Sequence, residues 1–225
     1  ALLVEKGSES PAVEAAKARN IQVLELDSQA DQPAGSFTIS ADDNVPAKRN
    51  SKTGVAQTGD IALVLHTSGT TSRPKIVPLS HKNVCASAGN IQNTLTLEPD
   101  DVCLNIMPLF HIHGLMAAVL ATLGKGASVC CSPGFDALRF YSWLDQAKPT
   151  WYTAVPTMHQ AILTRAARHR DIVSDARLRF IRSSSSALPP QVLQELEQTF
   201  DVPVVEAYAM TEASHQMTCN QLPPG

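Results

Sequence analysis

Short apolar stretches alternate with amphipathic stretches over most of this sequence, and the alternation restricts the fold more than any other feature. Apolar, strand-like runs occur at residues 101–107, 127–131, 150–155, 178–182 and 202–205. Segments with helical spacing separate them at residues 112–123, 136–147, 157–169 and 189–200. Parallel strands need a crossover connection, which is usually a helix. The sequence therefore predicts an α/β fold with a mostly parallel sheet flanked by helices.

The N-terminal quarter has a different organisation. Residues 1–26 read as strand, helix and strand, with Ser10 followed by Pro11 as a helix start. Residues 27–59 are polar and predict a surface connection, with a short strand near residues 37–39. We therefore divide the chain into residues 1–59, the end of a βαβ segment plus a connection, and residues 60–225, a ligand-binding subdomain.

Composition excludes several classes of protein. The net charge is -3 and the charged residues are scattered, so the sequence does not indicate a basic patch that would bind nucleic acid. The 5 cysteines include no C-x-x-C pair, which argues against a disulfide framework or a thiolate zinc site and favours reduced thiols inside the cell. The longest apolar stretch, residues 115–123, is about half the ~20 residues of a membrane-spanning helix.

The stretch after the apolar run at residues 61–65 carries the strongest functional signal. The run predicts a buried strand, and it is followed at once by hydroxyl side chains around Gly69 and then by Lys75. Such a loop offers backbone N–H groups, hydroxyls and a point charge to phosphate oxygens. The G-x-x-x-x-G-K-[ST] spacing is absent, so a P-loop NTPase is not indicated.

Three more polar segments follow predicted strands. They are PLFHIHG after Met107, the serine run Ser183–Ser186 after Arg182, and EAYAMTEASH after Val205. Ligands of parallel α/β sheets bind beyond the carboxyl ends of the strands, so we expect all four loops at one edge of one sheet.

Two other chemistries could use these loops. His111 and His113 form an H-x-H pair, as in some metal-dependent hydrolases, but only His66 and His215 could add histidine ligands from other strand ends. The serine run lacks a G-x-S-x-G elbow and an assignable acid and histidine. A metal hydrolase and a serine hydrolase are therefore the weaker interpretations.

Together these motifs resemble the adenylate-forming enzymes, which include acyl-CoA synthetases, firefly luciferase and nonribosomal peptide adenylation domains. TSGTTSRPK resembles the phosphate signature TSGTTGxPKG and departs from it at Ser72 and Ile76; PLFHIHG resembles PLFHxxG, and EAYAMTEASH resembles YGMTE. The resemblance spans about residues 60–220 and implies the large N-terminal domain of an AMP-forming ligase that uses ATP, Mg²⁺ and CoA.

The resemblance also implies roles for individual residues. The implied nucleotide-binding residues are Thr67, Ser68, Gly69, Thr70, Thr71, Lys75, Ser186, Ala187, Glu206, Ala207, Tyr208 and Thr211. The implied catalytic residues are His111, Thr211 and Glu212, and the Mg²⁺ ligands are Thr70 and Glu212. The implied acid-binding residues are His111, His113, Ser185 and His215.

The acid predicted from these residues is small and charged. Where the family has a Gly-Gly-Ala type turn this chain has serines, which predicts a hydroxyl-lined pocket, and His215 adds an imidazole near the acyl end. Within the family the motif combination most resembles ligases that use oxalate. Ligases for malonate or a medium-chain acid, and a nucleotide-binding module without turnover, remain the alternatives.

The resemblance further implies that the chain is an internal piece of a longer protein. The family's ribose-binding Asp and its adenylation Lys, on a mobile C-terminal domain, would lie beyond Gly225, and N-terminal parts of the large domain would precede Ala1. We therefore expect the piece alone not to catalyse the full reaction, and we expect exposed edges or apolar faces. The expected compartment is the cytosol or the peroxisome.

Overall fold

The computed structural model describes residues 1–29, 31–33, 35–41, 54–67 and 74–223. The chain forms two compact units, Ala1–Val55 and Ala56–Gly225. In the described part of the chain, no helix is long and apolar enough to cross a membrane.

The first unit contains the predicted strand, helix and strand. Strand β1 (Leu2–Glu5) pairs in parallel with β2 (Val23–Ser28), and helix α1 (Pro11–Ala18) connects them. The Ser10 hydroxyl accepts a hydrogen bond from the Ala12 N–H at 3.3 Å, as expected for a helix cap. The short strand expected in the polar connection is β3 (Phe37–Ala41), antiparallel to β2.

The second unit contains a six-stranded sheet. Its strands are β6 (Val102–Asn105), β7 (Ser128–Cys131), β8 (Trp151–Ala154), β9 (Phe180–Ser184), β10 (Val204–Met210) and β11 (His215–Cys219). The order across the sheet is β11-β10-β9-β8-β6-β7, and all neighbours are parallel except β10 and β11. The mostly parallel sheet predicted from the alternation is confirmed.

The helices of the second unit include one in each of the four predicted segments. They are α2 (His81–Thr94), a π-helix (His113–Leu120) that continues into α3 (Ala121–Gly124), α4 (Phe140–Ala147), α5 (Pro156–Ala166), α6 (Arg170–Ser174), α7 (Pro190–Phe200) and a 3₁₀ turn (Thr211–Ala213).

The sheet is covered on both faces because its strands are apolar on both faces. Successive side chains of a strand point to opposite faces, and the two apolar clusters divide accordingly. Tyr152 and Ile181 pack with residues of α4, α5 and α7, whereas Trp151 and Phe180 pack with residues of α2, the π-helix and α3.

The expectation of a buried strand at residues 61–65 is wrong. Strand β4 (Ile61–Thr67) does not join the six-stranded sheet; it forms an antiparallel hairpin with β5 (Lys75–Ser80). One face of the hairpin packs against α2 and the π-helix, whereas Ile61, Val64 and Ile76 are 57%, 51% and 65% exposed. A hairpin covered on one face keeps only alternate residues from water.

The boundaries of the last strands also differ from the prediction. Strand β10 continues to Met210, so Glu206, Ala207 and Tyr208 belong to a strand rather than a loop. The extension depends on β11, which no local sequence signal predicted and which pairs with Ala207–Met210.

Candidate functional site

A cavity of about 370 Å³ lies where four segments leave their strands. Its lining comes from the ends of β4 and β10, the turn after β9 and the loop that precedes the π-helix. The predicted site residues that line it are Thr67, His111, Ser185, Thr211, Glu212 and His215. Although β4 is not in the main sheet, its carboxyl end meets the same cavity as the three parallel strands.

A second cavity of about 450 Å³ adjoins the first through Ser185 and Ala209. The predicted nucleotide-binding residues that line it are Ser186, Ala187, Glu206, Ala207 and Tyr208. Tyr208 is 60% exposed, so its ring is open to a flat partner. The Glu206 carboxylate accepts the Leu188 N–H at 2.8 Å and so braces the turn after β9 against β10.

The loop that carries His111 leaves β6 through Asn105. The Asn105 side chain bonds both polar backbone atoms of Met107, at 3.1 and 3.2 Å. His111 Nδ1 then accepts the His113 N–H at 3.1 Å, so its proton is on Nε2. Burial lowers the pKa of His111, and the ring is therefore neutral at pH 7. His111 thus brings a neutral N–H donor to the first cavity.

His113 does not line this cavity and lies behind it. The ring is fully buried, with Nδ1 2.9 Å from the Ser185 hydroxyl and Nε2 2.6 Å from the Thr153 hydroxyl. It therefore contacts a residue of the cavity wall and not the cavity itself.

His215 is held by an unusual backbone. Ser214 and His215 both have positive φ, 58° and 97°, which side-chain-bearing residues adopt at a cost. The buried Ser87 hydroxyl of α2 donates to the Ser214 carbonyl oxygen at 2.5 Å and fixes this turn. Burial and then the nearby Arg182 charge lower the pKa of His215 to about 2. A neutral, buried imidazole therefore faces the cavity.

Glu212 supplies the one predicted metal-binding carboxylate of the cavity. The side chain is exposed, and no Lys, Arg or His in the described ranges forms an ion pair with it. The described residues contain no group of three or more His, Cys, Asp or Glu side chains able to hold a metal ion alone. One unpaired carboxylate fits Mg²⁺ that is bound mainly through nucleotide phosphates, which is the usual arrangement for this ion.

The structure describes only some residues of the predicted phosphate-binding loop. Ser68, Gly69, Thr70 and Thr71 lie outside the described residues. Thr67 lines the cavity, and its buried hydroxyl has no hydrogen-bond partner within the described part of the protein. Lys75 is exposed and lies opposite Thr67 in the β4–β5 register.

The expectation that Ser183 and Ser184 belong to the loop after the strand is wrong. Ser183 and Ser184 are buried within β9, and the Ser184 hydroxyl donates to the Ala207 carbonyl oxygen at 2.8 Å. Only Ser185 and Ser186 follow the strand, because β9 extends two residues beyond its predicted end.

Sequence reasoning missed Arg182. Its guanidinium is fully buried in β9 and lies within 3.3 Å of polar atoms of His113 and His215. The available signal was a charged residue inside an otherwise apolar run, FIRSS, since arginine is almost never fully buried without a partner.

Fold and site together define an α/β protein with ligand cavities at the carboxyl ends of its strands, a location typical of nucleotide-binding sheets. The chain belongs to the AMP-binding enzyme family, whose model matches residues 1–225. The family prediction made from the four motifs is confirmed.

Two relatives are oxalate–CoA ligases. The Arabidopsis thaliana protein is 43% identical over 227 residues, covering 99% of this chain and 43% of the relative. The Saccharomyces cerevisiae protein is 47% identical over 172 residues, covering 76% of this chain and 31% of the relative. The chain therefore spans less than half the length of either relative.

A solved structure has the same fold. It is a malonyl-CoA ligase ternary product complex with methylmalonyl-CoA and AMP bound, and it superposes with a TM-score of 0.76 at 26% identity. The match covers 99% of this chain and 44% of that structure.

Proposed function

We propose that the protein containing this chain is an AMP-forming acid–CoA ligase. It joins the carboxylate of a small acid to the α-phosphate of ATP with release of pyrophosphate, and the CoA thiol then displaces AMP. The observation that most strongly supports this proposal is the cavity of about 370 Å³, which is lined by Thr67, His111 and Glu212 from segments far apart in sequence. The family membership and the two oxalate–CoA ligase relatives support the same reaction.

The two cavities suggest where each substrate binds. The adenine lies on the exposed Tyr208 ring in the second cavity, beside Ser186, Ala187, Glu206 and Ala207. The phosphates then extend toward Thr211 and the Thr67–Thr71 and Lys75 loop. The acid occupies the first cavity, where the neutral His111 N–H orients its carboxylate toward the α-phosphate.

The first step requires that the negative charge of the phosphates be neutralised. When bound, Mg²⁺ screens the phosphate oxygens and stabilises the charge that develops on the leaving pyrophosphate. Glu212, together with Thr70, would hold the ion. The chain itself contributes fixed donors in a site partly shielded from water, which require little reorganisation during the reaction.

For the acid we propose oxalate. Ser185 and His215 give the cavity a polar lining, whereas a fatty tail would need an apolar one. A polar group buried against an apolar ligand loses its hydrogen-bond partners, which costs free energy. Malonate is the second candidate, and the malonyl-CoA ligase fold match supports it.

The reaction class is tested by pyrophosphate release from the complete reading frame that contains this chain, supplied with ATP, Mg²⁺ and CoA. We expect release that depends on a carboxylic acid. ATP binding without release for any acid would contradict the proposal and favour a nucleotide-binding module.

The acid is tested by comparing kcat/KM for oxalate, malonate and octanoate in the same assay. We expect oxalate to exceed octanoate by at least about 30-fold, since burying an unpaired polar group costs about 1–3 kcal/mol and two such groups line the cavity. Equal use of octanoate would contradict the assignment of a polar acid pocket.

A further inference from the structure

Arg182 carries a charge that no carboxylate among the described residues neutralises. Its side chain is fully buried, and in the described ranges no Asp or Glu forms an ion pair with it. Burial lowers the pKa of Arg182 to about 10, with an opposing effect from the Cys219 thiol, so the guanidinium is still cationic at pH 7. Burying an unpaired charge is costly, which indicates a function beyond packing.

Four hydrogen bonds show what the guanidinium does. One terminal nitrogen lies 3.3 Å from both His113 Nε2 and the Thr153 hydroxyl. The other lies 3.2 Å from His215 Nε2 and 3.0 Å from the Gln216 side-chain oxygen. Arginine has donors and no acceptor, so both imidazole Nε2 atoms must accept.

This arrangement fixes the proton on each ring. Burial and the Arg182 charge lower the pKa of both histidines, that of His215 to about 2, so both rings are neutral at pH 7. A neutral imidazole that accepts at Nε2 carries its proton on Nδ1. His113 and His215 are stacked with ring centroids 5.2 Å apart, and a single guanidinium can therefore set both.

The Nδ1 proton of His113 points to Ser185 in the cavity wall, whereas Nδ1 of His215 is buried within that wall. The His113 Nδ1–H donates to the Ser185 hydroxyl at 2.9 Å, which leaves the Ser185 proton free to donate elsewhere. Nδ1 of His215 is buried and has no partner within the described part of the chain, although His215 lines the cavity. An unpaired buried N–H is costly, and an anionic ligand atom would satisfy it.

We propose that Arg182 is the positioning residue of the acid site. It acts through His113 and His215 and makes both rings donate toward the cavity. Ser185 and His215 then present two neutral donors to the distal carboxylate of a dicarboxylic acid, and that carboxylate supplies the missing counter-charge. This acid-binding part rests on the proposed function; the proton assignment does not.

The assignment is tested on the complete protein by long-range ¹H–¹⁵N correlation spectra of the histidine rings at pH 7. We expect His113 and His215 to carry the proton on Nδ1, and His111, as an internal reference, to carry it on Nε2. In Arg182→Met we expect His113 and His215 to shift toward the Nε2–H form. Protons on Nε2 of both rings in the unsubstituted chain would overturn the inference, whether or not the Met variant folds.

Acid binding is tested in the complete protein with Arg182→Lys, which keeps the charge but loses the fork. We expect KM for oxalate to rise by about tenfold or more, the effect of losing one charge-assisted hydrogen bond, while KM for ATP changes by less than about twofold. Equal changes in both constants would overturn the positioning role. Absence of turnover with every acid in the unsubstituted enzyme would contradict the proposed function alone, because the spectra test the proton assignment separately.

Discussion

At the scale of single residues, the loop that presents His111 depends on one glycine. A Cβ on Gly114 would lie 2.6 Å from the Pro108 carbonyl oxygen and 3.0 Å from the Met107 Cβ. These neighbours are backbone or closely attached to it, so they cannot move aside cheaply. The glycine of the PLFHIHG motif is therefore required by the close approach of the π-helix to the loop before it.

We predict that Gly114→Ala lowers the free energy of unfolding by about 1–3 kcal/mol, the usual cost of overpacking. The matched control is Gly89→Ala within α2, where a Cβ would meet nothing within 4 Å. That change should stabilise by about 0.5–1 kcal/mol because alanine is the better helix former. Urea unfolding measures both, and equal effects of the two changes would refute the close-approach argument.

Some residues of the site were predictable singly and others only in combination. His111, Thr211 and Glu212 follow strand ends and belong to recognisable motifs, so their meeting in one cavity follows from the parallel topology. The role of Arg182 could not be assigned, because its partners come from segments 29 and more residues away and pairing at that distance leaves no local pattern. The same holds for the left-handed backbone of His215.

Among the secondary-structure elements, the two ends of the strands in the main sheet carry different groups of residues. At the amino ends of the strands, hydrogen bonds connect Asp101, Thr150 and Arg179, each of which directly precedes a strand. The buried Asp101 carboxylate accepts two bonds from Arg179, at 2.6 and 2.9 Å, and one from the Thr150 hydroxyl at 2.6 Å. The carboxyl edge carries the cavities. The Asp101 cluster thus lies at the edge of the sheet opposite to the site.

The ion pair gives a prediction about pH. Burial alone would raise the pKa of Asp101, but hydrogen bonds from Arg179, Thr150 and the Glu98 N–H outweigh it and lower the pKa below its usual value. A carboxyl whose pKa is lowered on folding stabilises above its unfolded pKa, about 3.9, and loses that contribution as the pH falls through the folded value.

We therefore predict that Asp101→Asn lowers the free energy of unfolding at pH 7 by about 1–2 kcal/mol, a value reduced for the partial exposure of Arg179. The difference should shrink below about pH 4. Exposed Asp100→Asn is the control and should change little. Urea unfolding between pH 3 and 7 tests this, and a difference between Asp101→Asn and the parent that is constant with pH would contradict the ion-pair account.

Elements were predicted best where the signal is local. The cap at Ser10 starts α1 as expected, and at the start of α2 Ser80 forms a reciprocal capping box with Asn83. The predicted helix at residues 157–169 instead ends at Ala166, and β4 pairs with β5 rather than with the main sheet. Strand partners depend on distant residues, so sequence periodicity alone does not select them.

For the molecule as a whole, the proposed ligase function requires that the first cavity hold an acid beside the nucleotide. His215 is one of the residues that line that cavity and not the second, so a change at His215 should affect the two ligands differently. Its unpaired Nδ1–H should bind the acid and contribute nothing to adenine binding. A change at this position therefore distinguishes an acid pocket from a cavity that merely adjoins a nucleotide site.

The most direct test is to measure kcat/KM for oxalate and KM for ATP in His215→Ala and His215→Asn forms of the complete protein. Asparagine places an N–H donor near the position of Nδ1 and tolerates the positive φ of His215. We predict that alanine lowers kcat/KM for oxalate by about 10–100-fold, that asparagine restores part of the loss, and that KM for ATP stays within about twofold. Unchanged oxalate kinetics in the alanine variant, or an equal loss for ATP, would contradict the binding of the acid in the first cavity beside His215.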